Sequence, residues 1–240
     1  MADFPVAGPE LISARSLQKR VDTKFVIAAT KVEAFLESLG QGFAVLESNG
    51  VRAALYRTQY FDSPDFAFLM QHHRGRRPRF KVRLRNYLDR DLSYVEVKQK
   101  TPKNITVKVR KVREESDLSL DPTDRRFLAD SCPIPNEVLE PQVLTVFRRV
   151  TLVGIDEPER VTLDMGLSFS TETRSAELPD ICVVEIKQPR FRARSECFLA
   201  LRRLNARPAK FSKYFTGATL LCDVPRRRQL MSKIKRFVPA

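Results

Sequence analysis

Alternation of charged and aliphatic residues is the dominant pattern along this chain. Successive side chains of a strand point to opposite faces, so alternation with a period of two predicts strands. Eight segments alternate in this way, at residues 20–28, 52–62, 79–88, 92–100, 104–113, 142–154, 159–168 and 181–188. The sequence therefore predicts a sheet of about eight strands.

Apolar residues at helical spacing separate several of these strands. They predict helices at 30–39, with Thr30 as N-cap, at 64 to about 72, at 121–129, at 195–205, and from about 212. Strands and amphipathic helices mixed in this order predict an α+β fold with an antiparallel sheet. No repeat or low-complexity linker interrupts the chain, so we expect residues 1–240 to form a single domain.

The charged residues of each predicted strand fall on one face, because residues two apart share a face. The sets are Arg20, Asp22 and Lys24; Lys81, Arg83 and Arg85; Glu96, Lys98 and Lys100; Lys108 and Arg110; Arg149; Arg160, Thr162 and Asp164; and Glu185 with Lys187. The opposite faces are aliphatic, as at Val107 and Val109, and we expect the amphipathic helices to cover them.

Two arrangements fit such faces. In an open antiparallel sheet the charged side is simply the face in contact with water. In a closed barrel it lines a lumen of positive potential. Like charges opposed across strands destabilise a sheet, and an anionic ligand in a lumen would offset that repulsion. We therefore favour the barrel.

The net charge of +14 and the pI of about 10.0 favour an anionic partner: nucleic acid, a membrane surface, or phosphorylated molecules and polymers. The arginine fork and the lysine point charge both suit phosphate. Of the few carboxylates, Glu185 is the first candidate ligand of a divalent cation, and Glu96 and Asp164 are secondary candidates. The basic tail at 225–240 is either a solvated tail or terminal helix, or a segment that docks on a polyanion.

Other features narrow the possible functions. The four cysteines form no CxxC pair and favour a reducing, cytoplasmic compartment. No run of 18 apolar residues occurs, so no transmembrane segment is expected. The first residues show no basic start followed by a long apolar run, so no standard secretion signal is expected. Aromatic residues are sparse on the basic strands and the chain has no Walker A motif, so we expect no stable nucleic-acid partner and no P-loop.

Ordered motifs carry a resemblance to a known family. They are RVDTKF at 20–25, YFDSPD at 60–65, KVRLRNY at 81–87, YVEVKQK at 94–100, TVKVRK at 106–111, FRRVTL at 147–152, RVTLD at 160–164, VVEIK at 183–187 and KFSKY at 210–214. Over residues 15–222 the chain resembles the VTC domain, the catalytic domain of the vacuolar transporter chaperone polyphosphate polymerases. That domain belongs to the triphosphate tunnel metalloenzyme, or CYTH-like, superfamily.

The resemblance implies an eight-stranded antiparallel β-barrel that forms a triphosphate tunnel, with flanking helices. It implies a polymerase that transfers the γ-phosphoryl of ATP to inorganic polyphosphate with Mn²⁺ or Mg²⁺, which Glu185 would bind. By the same resemblance Arg83, Arg85, Lys24 and Arg149 would be catalytic, and Lys98, Lys108, Lys187, Lys210 and Lys213 would bind substrate phosphates.

One departure from the superfamily bears on the reaction. Hydrolytic relatives resemble one another in an ExExK first strand, whereas the matching positions here are Arg20, Asp22 and Lys24. The missing first carboxylate weakens a two-metal hydrolase and suits a polymerase, although Asp22 remains available to a metal. The alternatives are a triphosphate or tripolyphosphate hydrolase, a nucleotide cyclase of the same fold, and a non-enzymatic module that binds polyphosphate or nucleic acid.

Overall fold

The computed structural model describes residues 4–16, 20–103, 105–132 and 138–238. The strands in this part of the chain are β1 (Val21–Ala28), β2 (Phe43–Val45), β3 (Ala53–Asp62), β4 (Arg79–Tyr87), β5 (Leu92–Lys100), β6 (Thr106–Arg113), β7 (Glu140–Gly154), β8 (Arg160–Ser170), β9 (Ser175–Leu178) and β10 (Ile181–Gln188). The eight strands expected from alternation are all present, and the short strands β2 and β9 add to them. The proposed start of the fifth strand, Asn104, lies outside the described residues.

The α-helices are α1 (Pro9–Ala14), α2 (Val32–Glu37), α3 (Ala67–Arg74), α4 (Pro122–Ser131), α5 (Glu196–Arg203), α6 (Lys213–Leu221) and α7 (Arg227–Ile234). Short 3-10 turns occupy Ala29–Lys31, Leu88–Arg90 and Lys235–Phe237. The α+β class, with an antiparallel sheet and flanking helices, is confirmed. No helix of the described residues is long and apolar enough to cross a bilayer.

The chain divides into two compact units, and the single-domain expectation stays a prediction. The first unit comprises the described residues within 1–55, 147–167 and 178–211. Its strands follow the order β1-β10-β8-β7; β10 pairs antiparallel with both β1 and β8, and β2 pairs antiparallel with the end of β7. The apolar faces of these strands pack with α2 and α5 around Phe25, Phe35 and Phe198, all buried. Burial of these faces leaves the charged residues of β1, β10 and β8 together on the other side.

The second unit comprises 56–146, 168–177 and 212–240, within the described ranges. Here β3, β4, β5 and β6 pair in sequence order as an antiparallel meander. Its core contains Val82, Leu84, Val95 and Val97 from the central strands, with Leu128 of α4 packed against them. A capping box starts α4, since Asp121 accepts from the Asp124 backbone N–H at 2.7 Å.

One packing expectation is wrong. Val107 and Val109 of β6 are 42% and 39% exposed, so the described residues do not cover this aliphatic face. The reason is where α4 is fixed: Asp124 pairs with Arg113, at the far end of β6, at 2.7 Å. The helix therefore shields the valines of β5 and leaves those of β6 in water.

The ends of two helical segments also differ from expectation. The helix predicted from Pro64 begins at Ala67, because the side chains of Asp62 and Ser63 cap its first turn. The tail forms α7, whose Leu230 and Ile234 are buried. A terminal helix is thus the form that the described part of 225–240 takes, and residues 239–240 lie outside the described range.

Candidate functional site

The first group of predicted site residues lies on β1, β10, β8 and β7 and is called here the Glu185 cluster: Lys24, Arg149, Asp164, Glu185 and Lys187. Lys24 of β1 lies directly opposite Glu185 of β10. Lys24 Nζ is 2.6 Å from Glu185 Oε1, and Lys187 Nζ is 3.1 Å from Glu185 Oε2. One carboxylate therefore holds two of the predicted phosphate-binding lysines.

Arg149 makes the second ion pair of this cluster. Its Nε and Nη2 donate to the two carboxylate oxygens of Asp164 at 2.5 and 2.7 Å. Such a bidentate ion pair fixes the plane of the guanidinium group as well as its position. Asp164, suggested by the sequence as a secondary metal ligand, is thus engaged with Arg149.

Burial and charge set the protonation states around Glu185. Burial favours the neutral carboxyl, but Lys187 and Lys24 together hold the pKa of Glu185 well below its usual range. Burial lowers the pKa of Lys187 to about 8, with Arg149 adding repulsion. Burial acts in the same direction on Lys24, yet Glu185 outweighs it and the pKa of Lys24 is raised. Of the two lysines, Lys187 loses its proton more easily.

The second group lies on β4, β5 and β6 and is called here the Arg83 cluster: Arg83, Arg85, Glu96, Lys98 and Lys108. Strand register places Arg83 opposite Glu96, and Lys98 opposite Lys108. Arg83 Nη2 is 2.6 Å from Glu96 Oε2, and Lys108 Nζ contacts the other carboxylate oxygen. Glu96 is 1% exposed and is the acidic member of a row otherwise made of cations.

The pKa values in the Arg83 cluster follow from its excess of cations over carboxylates. Burial raises the pKa of Glu96, but Arg83, Arg85 and Lys108 outweigh it and hold that pKa far below its usual range. Burial, with repulsion from Arg83, lowers the pKa of Lys108 to about 8. Cations opposed across strands repel one another. An added anion would therefore be bound favourably here.

Arg85 is more enclosed than Arg83. Its side chain is buried, its Nε donates to Thr58 Oγ1 at 3.1 Å, and its guanidinium lies over the Tyr56 ring at 5.4 Å from the centroid. These contacts fix the Arg85 guanidinium in place. A guanidinium held in this way is preorganised for an anionic ligand.

The three remaining predicted lysines have different surroundings. Lys98 and Lys210 are exposed. Lys210 follows Ala209, whose N–H donates to the Lys24 carbonyl at 2.7 Å, so the main chain ties this segment to β1 in the first unit. Lys213 is the first residue of α6 in the second unit, where Ser212 caps the helix by accepting from Phe215 N–H. Lys210 thus belongs with the Glu185 cluster and Lys213 with the Arg83 cluster.

Tyr60, Asp62 and Tyr214 are not among the predicted site residues, and they pack closely together. Asp62 is buried and accepts from the backbone N–H groups of Phe68 and Leu69 and from the Tyr214 hydroxyl, the last at 2.6 Å. The Tyr214 ring stacks on Tyr60 at 5.2 Å between centroids.

Tyr60 also touches the charged cluster, which the sequence analysis missed. Its hydroxyl accepts from Arg83 Nη1 at 3.5 Å. Burial raises its pKa, but Arg83, Arg85 and Lys213 outweigh burial and lower it. The missed signal was strand periodicity, because Tyr60 lies directly opposite Arg83 in the register and shares its face.

A divalent cation near Glu185 would need several oxygen ligands. The described residues contain no group of three or more His, Cys, Asp or Glu side chains that could hold a metal ion. Across from Glu185 on β8, however, Thr162 Oγ1 is buried and has no hydrogen-bond partner within the described ranges. Mg²⁺ is usually held by one or two carboxylates together with substrate phosphates. Glu185 and Thr162 fit that kind of shared site, and do not form a site made by the protein alone.

Comparison with solved structures shows the fold. The chain is similar to a candidate adenylate cyclase from Bacillus halodurans, with a TM-score of 0.50 and 14% identity over 81% of this chain and 94% of that one. It is also similar to a candidate adenylyl cyclase from Hippeastrum, described as having a dominant triphosphatase activity, with a TM-score of 0.50 and 11% identity over 84% of this chain and 96% of that one. At these identities the likeness shows a shared fold alone.

The sequence identifies the family within that fold. The chain belongs to the VTC domain family, which matches residues 19–222. The resemblance noted from the ordered motifs is therefore confirmed. Among curated proteins, none matches this sequence.

Proposed function

We propose that this protein is a polyphosphate polymerase that transfers the γ-phosphoryl group of ATP to a growing inorganic polyphosphate chain. The observation that carries the proposal is the excess of cations in both clusters, where Glu185 and Glu96 are each bound by two basic side chains. Membership of the VTC domain family supports it. ATP and polyphosphate are the proposed substrates, and the cytoplasm remains the predicted compartment.

The position of Arg20 favours a phosphate acceptor over water. Arg20 Nε donates to Asp22 Oδ1 at 2.9 Å, so the carboxylate that remains of the ExExK pattern carries a cation. A two-metal hydrolase needs carboxylates that are available to its metals. The first strand instead presents positive charge, which suits an anionic acceptor chain.

The reaction requires only substitution at phosphorus. A terminal oxygen of the polyphosphate chain forms a bond to the γ-phosphorus, the bond from that phosphorus to the β,γ-bridging oxygen breaks, and ADP leaves with the electron pair. Charge spreads over the three non-bridging oxygens during transfer, so catalysis consists of positioning and charge neutralisation. No covalent intermediate on the protein is required.

The basic residues would supply that neutralisation. Arg83 and Arg85 would donate their planar forks to phosphate oxygens, and Lys108 and Lys98 would bind further along the chain. In the first unit Lys24 and Lys187 would exchange Glu185 for phosphate oxygens, with Arg149 beside them. Lys210 and Lys213 would add contacts from the segment 210–213.

Glu185 and Thr162 would hold Mn²⁺ or Mg²⁺ together with the phosphates. When bound, the ion would neutralise developing charge on the phosphate oxygens. Once Lys24 and Lys187 bind phosphate oxygens, the Glu185 oxygens would be available to bind the divalent cation.

The proposal is tested by incubating the protein with ATP and Mn²⁺ or Mg²⁺ and resolving products by gel and ³¹P NMR. Long phosphate chains support the polymerase; free phosphate without chains indicates the hydrolase, and cyclic nucleotide indicates a cyclase. Arg83→Lys keeps the charge and loses the fork, and we expect kcat/KM to fall about tenfold or more. Arg190→Lys, at an exposed arginine of the first unit, is the matched control and should retain wild-type activity.

A further inference from the structure

A basic hollow in the second unit is lined by residues that belong to neither cluster. Its volume is about 380 Å³. It is lined by residues of the turn before α3, of α3 and its C-terminal end, and of the start of α7: Asp65, Ala67, Met70, Gln71, Arg74, Arg76, Pro225 and Arg226. The hollow is large enough for a small ligand or for a segment of a linear polymer.

Charge in this hollow is strongly unbalanced. Arg74, Arg76 and Arg226 line it against a single carboxylate, Asp65. All three arginines are exposed, and none forms an ion pair among the described residues. Nearby, burial and then Lys233, Arg226 and Arg74 lower the pKa of His73, as expected in a positive field. The hollow therefore favours an anion of several charges.

Specific contacts hold the two sides of the hollow together. Lys233 of α7 donates to the His73 carbonyl of α3 at 3.3 Å, and its Nζ lies 3.0 Å from His73 Nδ1. The Arg76 N–H donates to the Gln71 carbonyl at 3.0 Å, which closes the end of α3 and fixes the direction of the chain at Arg76. The arginines thus project from anchored backbone.

The remaining lining indicates which anion fits. Gln71 Oε1 is buried and has no hydrogen-bond partner in the described part of the chain. The amide placed the other way round would leave an unpaired N–H donor at the same position, which an anion could accept. Met70, Ala67 and Pro225 give apolar surface, and the lining contains no aromatic ring. Single-stranded nucleic acid is usually held by stacking of its bases on such rings. Phosphate without bases is the better match.

We propose that this hollow binds inorganic oligophosphate, as a second site for the polymer that is formed by other residues than the Arg83 and Glu185 clusters. A role of this site in retaining the polymer product rests on the proposed polymerase function, whereas the binding of oligophosphate does not. Loss of two exposed guanidinium contacts should weaken binding at this site roughly tenfold. Removal of the opposing charge in Asp65→Asn should strengthen it about threefold, since Asn can still accept from Ser63.

Binding at this site can be measured by dicarbonyl labelling of arginine followed by peptide mass spectrometry. The full chain is labelled with and without tripolyphosphate, and the extent of labelling is compared for each arginine. We expect tripolyphosphate to protect Arg74, Arg76 and Arg226, while the exposed Arg190 and Arg194 of the first unit react as before. Sulfate at the same ionic strength should protect much less. Protection of all exposed arginines alike, or of none in the hollow, would overturn the proposal.

Variants and a second ligand complete the test. Arg74→Gln/Arg226→Gln should raise the tripolyphosphate concentration that protects Arg76 about tenfold, and Asp65→Asn should lower it. An oligonucleotide that protects these arginines more strongly than polyphosphate of equal charge would overturn the choice of ligand. ATP consumption is followed on the same samples: protection without turnover refutes the proposed polymerase and leaves the oligophosphate site standing.

Discussion

Lys187 should make polyphosphate binding sensitive to pH in a range where ordinary lysines do not titrate. Its pKa is lowered to about 8 by burial, with repulsion from Arg149, although Glu185 partly compensates. Its ammonium group must be present to bind a phosphate oxygen. The perturbation we consider is a change from pH 7 to pH 9, with and without Lys187→Arg.

The magnitude follows from the fraction protonated. With a pKa of about 8, roughly nine tenths of Lys187 is charged at pH 7 and roughly one tenth at pH 9. If bound phosphate restores the usual lysine pKa, affinity should fall about tenfold over this range. Lys108, whose pKa is also lowered to about 8, should contribute a similar factor where it contacts the ligand.

The assay is calorimetric binding of tripolyphosphate at pH 7 and pH 9 and constant ionic strength. Arginine stays charged at both pH values. Lys187→Arg should therefore make the ratio of the affinities at pH 7 and pH 9 about tenfold smaller than in the wild type. Comparison with the variant cancels the titration of the ligand itself. Lys103→Arg, at an exposed lysine outside both clusters, is the matched control and should keep the wild-type slope.

Stability of the ligand-free protein should change in the opposite direction. The folded pKa of Lys187 lies below the unfolded value of 10.5, so the unfolded chain binds more protons between pH 8 and 10.5. The contribution of Lys187 to the free energy of unfolding therefore rises with pH across that window. Equal affinity of the wild type at pH 7 and pH 9, or an unchanged slope in Lys187→Arg, would refute the reasoning.

Three further perturbations test the metal site and the packing of the second unit. Glu185→Gln should abolish stimulation of turnover by Mn²⁺ or Mg²⁺ while tripolyphosphate binding without metal persists, measured by product assay and calorimetry; metal stimulation at the wild-type level would contradict the assigned ligand. Tyr214→Phe removes the hydroxyl that donates to Asp62 at 2.6 Å and should lower the free energy of unfolding by about 1–3 kcal/mol in denaturant titration, and no change would mean that the bond is not stabilising. Gly217→Ala would place a Cβ 2.7 Å from a ring carbon of Phe169 and should destabilise by about 1–3 kcal/mol, whereas an unchanged denaturation midpoint would show that the ring can shift.

Strand periodicity was enough to predict the fold class and the faces that carry charge. It could not predict which cation each carboxylate binds, because that depends on register between distant strands. The contact of Lys24 with Glu185 joins residues far apart in the sequence, and a slip of one residue would separate them. Glu185 was chosen as the key carboxylate from the strand pattern and again from the family resemblance, and its contacts came from the structure.

The failures have a common physical origin in packing between elements. Val107 and Val109 alternate correctly but remain exposed, since alternation does not say where a helix will be anchored. Tyr60 is absent from the predicted site residues, although its hydroxyl accepts from Arg83. The basic hollow joins Arg74 with Arg226, which no local pattern connects. Each case needed tertiary contacts rather than periodicity.

The carboxylates of the two clusters explain how so much positive charge is tolerated before ligand binds. Glu96 is buried and pairs with both Arg83 and Lys108, so a phosphate must compete with it for the same N–H groups. Removing one partner of a buried ion pair costs about 3–5 kcal/mol, because the remaining charge loses its compensation. Glu96→Gln should therefore destabilise the ligand-free protein strongly.

Tripolyphosphate should then stabilise Glu96→Gln more than it stabilises the wild type, since the anion replaces the missing charge without a competing carboxylate. A ligand that binds only the folded state raises stability according to its concentration relative to Kd, so tighter binding appears as a larger rise in Tm. Thermal unfolding with and without tripolyphosphate measures the difference, and Asp130→Asn at an exposed carboxylate provides the control. An equal or smaller rise in Glu96→Gln would show that Glu96 does not occupy the place of a ligand phosphate, and its buried charge would then have to be explained by folding alone.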